Sequence, residues 1–452
     1  MLNTSIIGIG AAGNKAAIQA ILDGVVPVNK VMLLNTTLKD IPEEFRGIAV
    51  NFAENSDLHG GCGKERSLSK KLLLSAMKNS DVDFDNFLSD EDDMVTIVTS
   101  TEGGTGSGAA TVVAKYFDQQ LNRPVNMFAL TGFEDDARGK QNTVAFFQEL
   151  DPNYTIHAIS NKKFHGSRSQ AEAAANKQFS TALRVMLGQD LIDSDQNIDN
   201  TDLYKISTSP GYMVVEYAEV KEKIKNVEQF NRILVDMIDN SPTLETPIKN
   251  KMPRMALILN LNERSQEFVD STAQEVRNRM GECFEEFIQR QYNGKQEFIA
   301  VICAGMNIPT DEIDAIYQRY LKEKEEASKN KENFFDSMRD VGEDSFDVRQ
   351  RRGKKTTTED RRSFFKDFDD EDPVPRKTAK NFAESFDATE EQPVLKRAAF
   401  FAEEEETVNP VLNISTAEQQ IVHKAFEQQE EPPVFRKTNE FVNTQITVNM
   451  RD

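Results

Sequence analysis

The chain has no tryptophan, only three cysteines and four histidines in 452 residues, and no run of eighteen apolar residues. Cys62, Cys283 and Cys303 are odd in number, far apart and without CxxC or Cys/His spacing, so neither a disulfide framework nor a zinc site is expected. His59, His157, His165 and His423 are equally scattered, which leaves no histidine-based metal site. The apolar runs are too short to span a bilayer, and Met1-Leu2-Asn3-Thr4-Ser5 lacks the basic and apolar regions of a signal peptide. The expectation is a soluble, cytoplasmic protein with no direct membrane insertion. No Walker A pattern occurs, since Gly63-Lys64 is followed by Glu65, which argues against a P-loop NTPase. Positive charge is also in deficit: 54 Lys and Arg against 75 Asp and Glu leave −21. Such a body repels phosphates, so direct nucleic-acid binding is not expected, and any self-association should depend on salt and divalent cations.

The length is too great for one core, so two folded domains and an additional segment are expected. Through about residue 165, apolar β-rich runs alternate with amphipathic or alanine-rich ones. Ser5–Gly10, Lys30–Asn35, Gly47–Phe52, Met94–Ser100, Val125–Thr131 and Tyr154–Ser160 read as strands; Ala12–Leu22, Leu68–Lys78, Ala109–Gln120 and Lys140–Leu150 read as helices. That alternation means a mostly parallel sheet covered on both faces, with ligands at the carboxyl ends of its strands. Gln170–Leu191 reads as one long helix. Tyr212–Val220, Arg254–Leu261 and Glu297–Met306 then read as strands, Ser265–Gln291 as a long amphipathic helix, and Pro309-Thr310-Asp311-Glu312 as a capped helix start. The expected fold class is α/β: a parallel-sheet domain (1–168) with room for a ligand at its strand ends, a long central helix with a following loop (169–204), a smaller α+β domain (205–308), a C-terminal helix (309–330) and a long disordered tail (331–452).

Two glycine turns fall where that sheet would hold a ligand. Glu102-Gly103-Gly104-Thr105-Gly106-Ser107-Gly108-Ala109-Ala110 follows a strand and opens a helix. Glycines allow positive φ and close approach of backbone N–H groups, and the helix N-terminus adds its dipole, so this run is a cradle for an anion. Gly8-Ile9-Gly10-Ala11-Ala12-Gly13 matches G-x-G-x-x-G, the dinucleotide fingerprint. A nicotinamide-dependent oxidoreductase is therefore a rival from another class. It lacks the acid that a dinucleotide site needs after the second strand, where Asn35-Thr36-Thr37 stands instead, and it has no use for a second cradle. Asn197-Ile198-Asp199-Asn200-Thr201-Asp202, beyond the long helix, reads on its own as a solvated acidic loop.

Together these runs resemble the tubulin/FtsZ superfamily of polymerising GTPases. The second turn resembles its G-G-G-T-G-[ST]-G signature, with Glu102 in place of the first glycine. The first turn with Asn14 resembles G-x-G-G-x-G-N, and Asn35-Thr36-Thr37 resembles N-T-[DN]. His59-Gly60-Gly61-Cys62-Gly63 stands where the family has a glycine loop near the γ-phosphate, and Ser160-Asn161-Lys162-Lys163 resembles P-N-D-[KR]. The acidic loop matches N-x-D-x-x-[DE]. The resemblance covers roughly residues 4–310 and implies GTP or GDP with Mg²⁺ carried by the phosphates and no directly assigned metal ligand. It implies nucleotide contacts from Gly10, Ala11, Ala12, Gly13, Asn14, Asn35, Gly61, Gly103, Gly104, Thr105, Gly106, Ser107 and Gly108. Asn161 would face the guanine, with Asn176 as a second candidate. Asn197, Asp199 and Asp202 would act on the GTP of the next subunit in a head-to-tail homopolymer. Glu102 either turns away from the phosphates or alters the metal geometry. The long charged helix after Thr310 resembles the phage- and plasmid-encoded TubZ/PhuZ branch, which positions or transports cargo, more than the FtsZ cell-division ring protein, the alternative within the family. Phe441–Asp452 lacks the short Pro/Leu peptide by which FtsZ docks membrane anchors.

Residues 331–452 hold 19 basic and 27 acidic residues and only Gly342 and Gly353 among the glycines. Such a composition buries too little apolar area to offset its ordering entropy. Phe368–Lys377, Phe386–Arg397 and Phe426–Lys437 nevertheless share one plan: phenylalanine, an acidic stretch, Pro-Val, any residue, two basic residues. Phe401–Leu412 keeps all but the basic pair. Thirteen of the 29 phenylalanines lie in this tail, more than a solvating spacer would keep. The repeats fit docking of an unknown partner or cargo in a groove or at a sheet edge.

Overall fold

The computed structural model describes residues 1–340 except 57, 59, 193–197, 222–225, 244–251, 263–265, 282, 293 and 295, and leaves aside the side chains of 252, 280 and 330–340. The tail repeats and His59 lie outside the described residues. The strands are β1 (Thr4–Ile9), β2 (Val31–Asn35), β3 (Ala49–Asn51), β4 (Met94–Ser100), β5 (Val125–Thr131), β6 (Thr155–Ser160), β7 (Gly211–Glu219), β8 (Met252–Asn260), β9 (Cys283–Gln291) and β10 (Phe298–Met306). The helices are α1 (Gly10–Leu22), α2 (Arg66–Lys78), α3 (Gly104–Gln119), α4 (Ala137–Glu149), α5 (Arg168–Met186), α6 (Asn200–Ser207), α7 (Val227–Asp239), α8 (Gln266–Met280) and α9 (Thr310–Asp340).

One sheet runs in the order β3-β2-β1-β4-β5-β6-β7-β10-β8-β9. It is parallel from β3 to β7, antiparallel on both sides of β10 and parallel again between β8 and β9. Strand alternation sends neighbouring side chains to opposite faces. Ile7, Ile9, Val95, Ile97 and Met127 pack with Leu73, Val113, Phe117 and Phe147 of α2, α3 and α4 on one face. Ile6, Leu33, Val98, Phe128 and Leu130 pack with Ala16, Ala20, Phe179 and Leu183 of α1 and α5 on the other. The mostly parallel, doubly covered sheet is thus the α/β class expected. Its thinnest seam is β6 to β7, paired only through Thr155–Gly211 and Ile156–Tyr212.

One element departs from the sequence reading. Ser265–Gln291 is not a single helix: α8 stops at Met280, Gly281 takes φ +102°, and β9 follows as an edge strand parallel to β8. Glycine in that conformation is a helix stop. α6 and α7 occupy stretches where no element was expected, and α9 continues to Asp340 beyond the expected boundary at residue 330. α9 lies against α4, with Ile313 and Ile316 buried and Glu323 accepting from Lys140 Nζ at 2.8 Å. Among the described residues no helix is long and apolar enough to cross a membrane.

Candidate functional site: a glycine-lined cavity at the carboxyl end of the sheet

β1 ends at Ile9, and Gly10 turns the chain into α1 with φ +73°. A Cβ on Gly10 would stand 3.0 Å from the Gly106 nitrogen, so the β1–α1 turn lies against the first turn of α3. A Cβ on Gly104 would meet the Glu65 nitrogen at 2.5 Å. Three backbone segments therefore converge where only glycine fits. Beside them lies a cavity of about 320 Å³. Gly10, Ala11, Ala12, Asn35, Gly61, Gly103, Gly104, Thr105 and Gly106 line it, together with Ile9, Thr37, Asp40, Cys62, Gly63, Lys64 and Ser100. The helix N-terminus with its unpaired N–H groups makes the floor an anion seat.

The other sequence-predicted contacts stand behind or away from this lining. Gly13 packs on β4, where a Cβ would come within 2.2 Å of the Val98 carbonyl oxygen, and Gly108 packs on Arg66 in the same way. Ser107 is buried and its hydroxyl donates to the Gly103 carbonyl. Asn14 is buried, with Nδ2 donating to Leu34 O at 3.3 Å. Asn161 is buried in a short helical turn after β6, and Asn176 is half-buried along α5. Asn14 Oδ1, Asn35 Nδ2 and Asn161 Oδ1 have no hydrogen-bond partner among the described residues. A buried amide atom without a partner carries a desolvation cost that a bound ligand can relieve. An amide oxygen facing a donor-bearing base and an amide N–H facing an anion are suitable complements.

Glu102 turns away from the cavity. Its carboxylate lies over Gly132, where a Cβ would come within 2.0 Å of Oε2, and accepts from the Glu134 nitrogen at 2.7 Å. Burial pushes its carboxyl above the ordinary range against the pull of that N–H and of Lys64. Asn142 Nδ2 ties the Glu102 carbonyl (3.0 Å) to the Lys64 carbonyl (2.9 Å), joining the glycine turn to the loop that covers it. Lys64 was missed in the sequence reading. It adjoins the Gly60–Gly63 loop, but the Glu65 that rules out a Walker motif also hid a lysine at the cavity wall.

The acidic loop is at the opposite end of the sheet. Asn200 Oδ1 accepts from the Met1 amino group at 2.6 Å, just before β1 begins, whereas the cavity opens where β1 ends. A six-residue strand separates those ends by roughly 20 Å. Asp199 and Asp202 form a reciprocal capping box on α6: the Asp199 carboxylate accepts from Asp202 N at 2.8 Å and Asp202 Oδ2 from Asp199 N at 3.4 Å. Asn197 lies outside the described residues. Two buried glutamines of β9 hold the neighbouring chain. Gln289 accepts from Ile198 N (2.9 Å) and donates to Ile192 O (3.0 Å), and Gln291 donates to Asp190 O (2.6 Å).

No family model matches the chain, and no curated protein matches it in sequence. Solved structures do match. A tail-truncated TubZ of Clostridium botulinum phage c-st is 17% identical with a TM-score of 0.53 over 72% of this chain and 98% of that one. CetZ2 of Haloferax volcanii, in a GTPγS-bound protofilament, is 17% identical with a TM-score of 0.58 over 72% and 100%. An FtsZ dimer of M. jannaschii is 15% identical with a TM-score of 0.52 over 68% and 88%. The chain has the tubulin/FtsZ fold.

Proposed function

We propose that this chain is a GTPase whose subunits join head to tail into dynamic filaments, with hydrolysis at each junction, and that the filament positions or transports phage or plasmid cargo. The observation that carries the reading is the separation of two half-sites, a glycine-floored cavity at one end of the sheet and the Asp199/Asp202 cap at the other. Neither half is complete within one subunit, and stacking subunits along the strand direction joins them.

Bound GTP would supply the phosphoanhydride to be cleaved, and Mg²⁺ carried by its phosphates would offset their charge. The N–H groups of Gly103–Gly106 and the first turn at Gly10–Ala12 hold the phosphate oxygens, and Asn35 Nδ2 donates to the same region. Asn161 Oδ1 accepts from the guanine edge, with Asn176 as the second amide on that side, and Asn14 supports the turn. Gly13, Ser107 and Gly108 act by packing. Asp199 and Asp202, with Asn197, orient water for the neighbour's nucleotide, the free carboxylate lone pairs accepting its proton. Residues 1–168 form the nucleotide domain, 169–204 the helix and catalytic loop, and 205–308 the second domain, a division that the two-residue seam between β6 and β7 favours. The CetZ2 structure that the chain resembles is a GTPγS-bound protofilament, and another similar structure is a two-stranded TubZ-Bt filament. The 31-residue α9 and the tail repeats favour the cargo-handling branch.

Phosphate release measured across a protein dilution series tests the reading. Activity per molecule should rise with concentration and coincide with filaments in negative stain. Full activity below the assembly threshold, or NAD(P) recovered from the purified protein, would overturn it.

A further inference from the structure

Lys64 is the one cation among the described residues that line the cavity. It occupies a position that suits glycine: its φ is +65°, next to Gly63 at +57°. A side chain in left-handed backbone is strained, and such outliers gather at functional sites. The Lys64 main chain is pinned, its carbonyl accepting from Asn142 Nδ2 at 2.9 Å and its Cα lying against Gly104. The side chain is not pinned. Its ammonium pairs with Asp136, and both side chains are about half in solvent. An ion pair that exposed is weak and readily exchanged. Asp136 has a separate duty, since its Oδ1 caps α4 by accepting from Gly139 N at 2.8 Å, so losing Lys64 leaves the cap in place.

The two faces of the sheet give this lysine its direction. α2, α3 and α4 cover one face, and α1 and α5 the other. Asn161 and Asn176, read above as the amides that meet the base, belong with α5. A nucleotide with its base on that side and its phosphates over the N-terminus of α3 ends on the α2/α4 side. Lys64 and Asp136 stand there, just ahead of those two helices. Asn35 Nδ2, buried, without a partner among the described residues and on the cavity wall, independently marks the cavity as a ligand site.

We propose that Lys64 selects the nucleoside triphosphate over the diphosphate: it rests on Asp136 and transfers to the terminal phosphate when one is bound. The inference rests on the guanine-nucleotide reading of the cavity. A cation that met only the phosphates common to both nucleotides would strengthen both equally. One that meets the last phosphate strengthens the triphosphate alone, and Asp136 competes with it.

The test is equilibrium binding of GTPγS and GDP to the nucleotide-free full chain. In K64M, GTPγS affinity should fall about tenfold with GDP affinity within twofold of wild type, and K64R should restore the preference. In D136N, where asparagine still caps α4, GTPγS affinity should rise about threefold, and the gain should vanish in the K64M background. Equal weakening of both nucleotides in K64M, or a D136N gain that persists without Lys64, overturns the role of Lys64 while leaving the cavity a guanine-nucleotide site. A wild-type chain that binds neither nucleotide overturns the cavity reading and this one with it.

Discussion

A Cβ at position 106 would lie 2.4 Å from Thr99 Oγ1 and 2.9 Å from the Ile9 carbonyl oxygen, so any substitution at Gly106 disturbs the join of β1, β4 and α3 before it reaches a ligand. Gly103 differs. It lines the cavity, its φ is −73°, and a Cβ there meets nothing within 4 Å. Gly103→Val is the clean test of the cradle: nucleotide affinity should drop at least tenfold while the melting temperature moves by no more than a few degrees. Unchanged affinity would remove the cradle assignment. Glu216 provides the pH test. Burial pushes its carboxyl up to about 8, while the Ser241 hydroxyl and the Lys163 ammonium pull it down. The unfolded chain loses this proton near 4.5, so between about 4.5 and about 8 the folded state binds more protons. Stability therefore falls as pH rises through that window and levels above it, by an order of a few kcal/mol. Glu216→Gln should remove most of the decline, read as urea unfolding free energies at about pH 5 and about pH 8.5. A wild-type decline that persists in the variant would assign it to other groups.

At the scale of elements, α6 ties stability to the proposed chemistry, because Asp199 and Asp202 are also its cap. Alanine at either position removes a capping acceptor, costing about 0.5–2 kcal/mol, and confounds a kinetic test. Asp202→Asn keeps an acceptor and removes the charge. It should bind GTP and assemble, hydrolyse on the order of 100-fold more slowly, and leave filaments that persist in light scattering. Hydrolysis at the wild-type rate would exclude Asp202 from the water-orienting role. The strands and helices through β6 were legible because buried parallel strands are continuous apolar runs punctuated by glycine turns, as in Met94–Ser100 before Gly103. The edge of the sheet was not. β9 has one strand neighbour among the described residues, and its Cys-Phe-Glu-Glu-Phe-Ile-Gln-Arg-Gln carries charges that pair locally, as Glu285 does with Arg254 and Glu286 with Arg277. Such a strand mimics the polar side of a helix, and Gly281 was the signal that separated it from α8. α7 did carry a signal, since Val227, Phe230, Ile233, Leu234, Met237 and Ile238 stand at helical spacing and pack on the core, and the expectation passed over it. At the cavity, the glycine spacing disclosed the turns but not which glycines line the cavity. Gly13 and Gly108 are required by Val98 and Arg66, neighbours that come close only in the fold.

At the scale of the whole molecule, the tail repeats follow in sequence a helix longer than the sequence led one to expect. α9 runs to Asp340, its first turns packed through Ile313 and Ile316 and its middle held by Glu323 on the buried ammonium of Lys140. A cut near residue 332 would remove the end of that helix, whereas a cut after Asp340 leaves it whole and still precedes the first repeat at Phe368. Each repeat alone should bind weakly, because an extended segment loses entropy when it docks. Three full copies on every subunit of the proposed filament would raise the effective concentration, and avidity could then exceed single-copy affinity by roughly 10²–10⁴. Truncation after Asp340 should therefore spare nucleotide hydrolysis and assembly while abolishing recruitment of the partner or cargo. Replacing Pro393-Val394 should weaken recruitment in part, and replacing Pro373-Val374 and Pro433-Val434 as well should nearly eliminate it. Co-sedimentation of partner with preformed filaments reads both effects. A truncated chain that binds GTP yet forms no filament would move the tail into the subunit contact and overturn its assignment as a docking array.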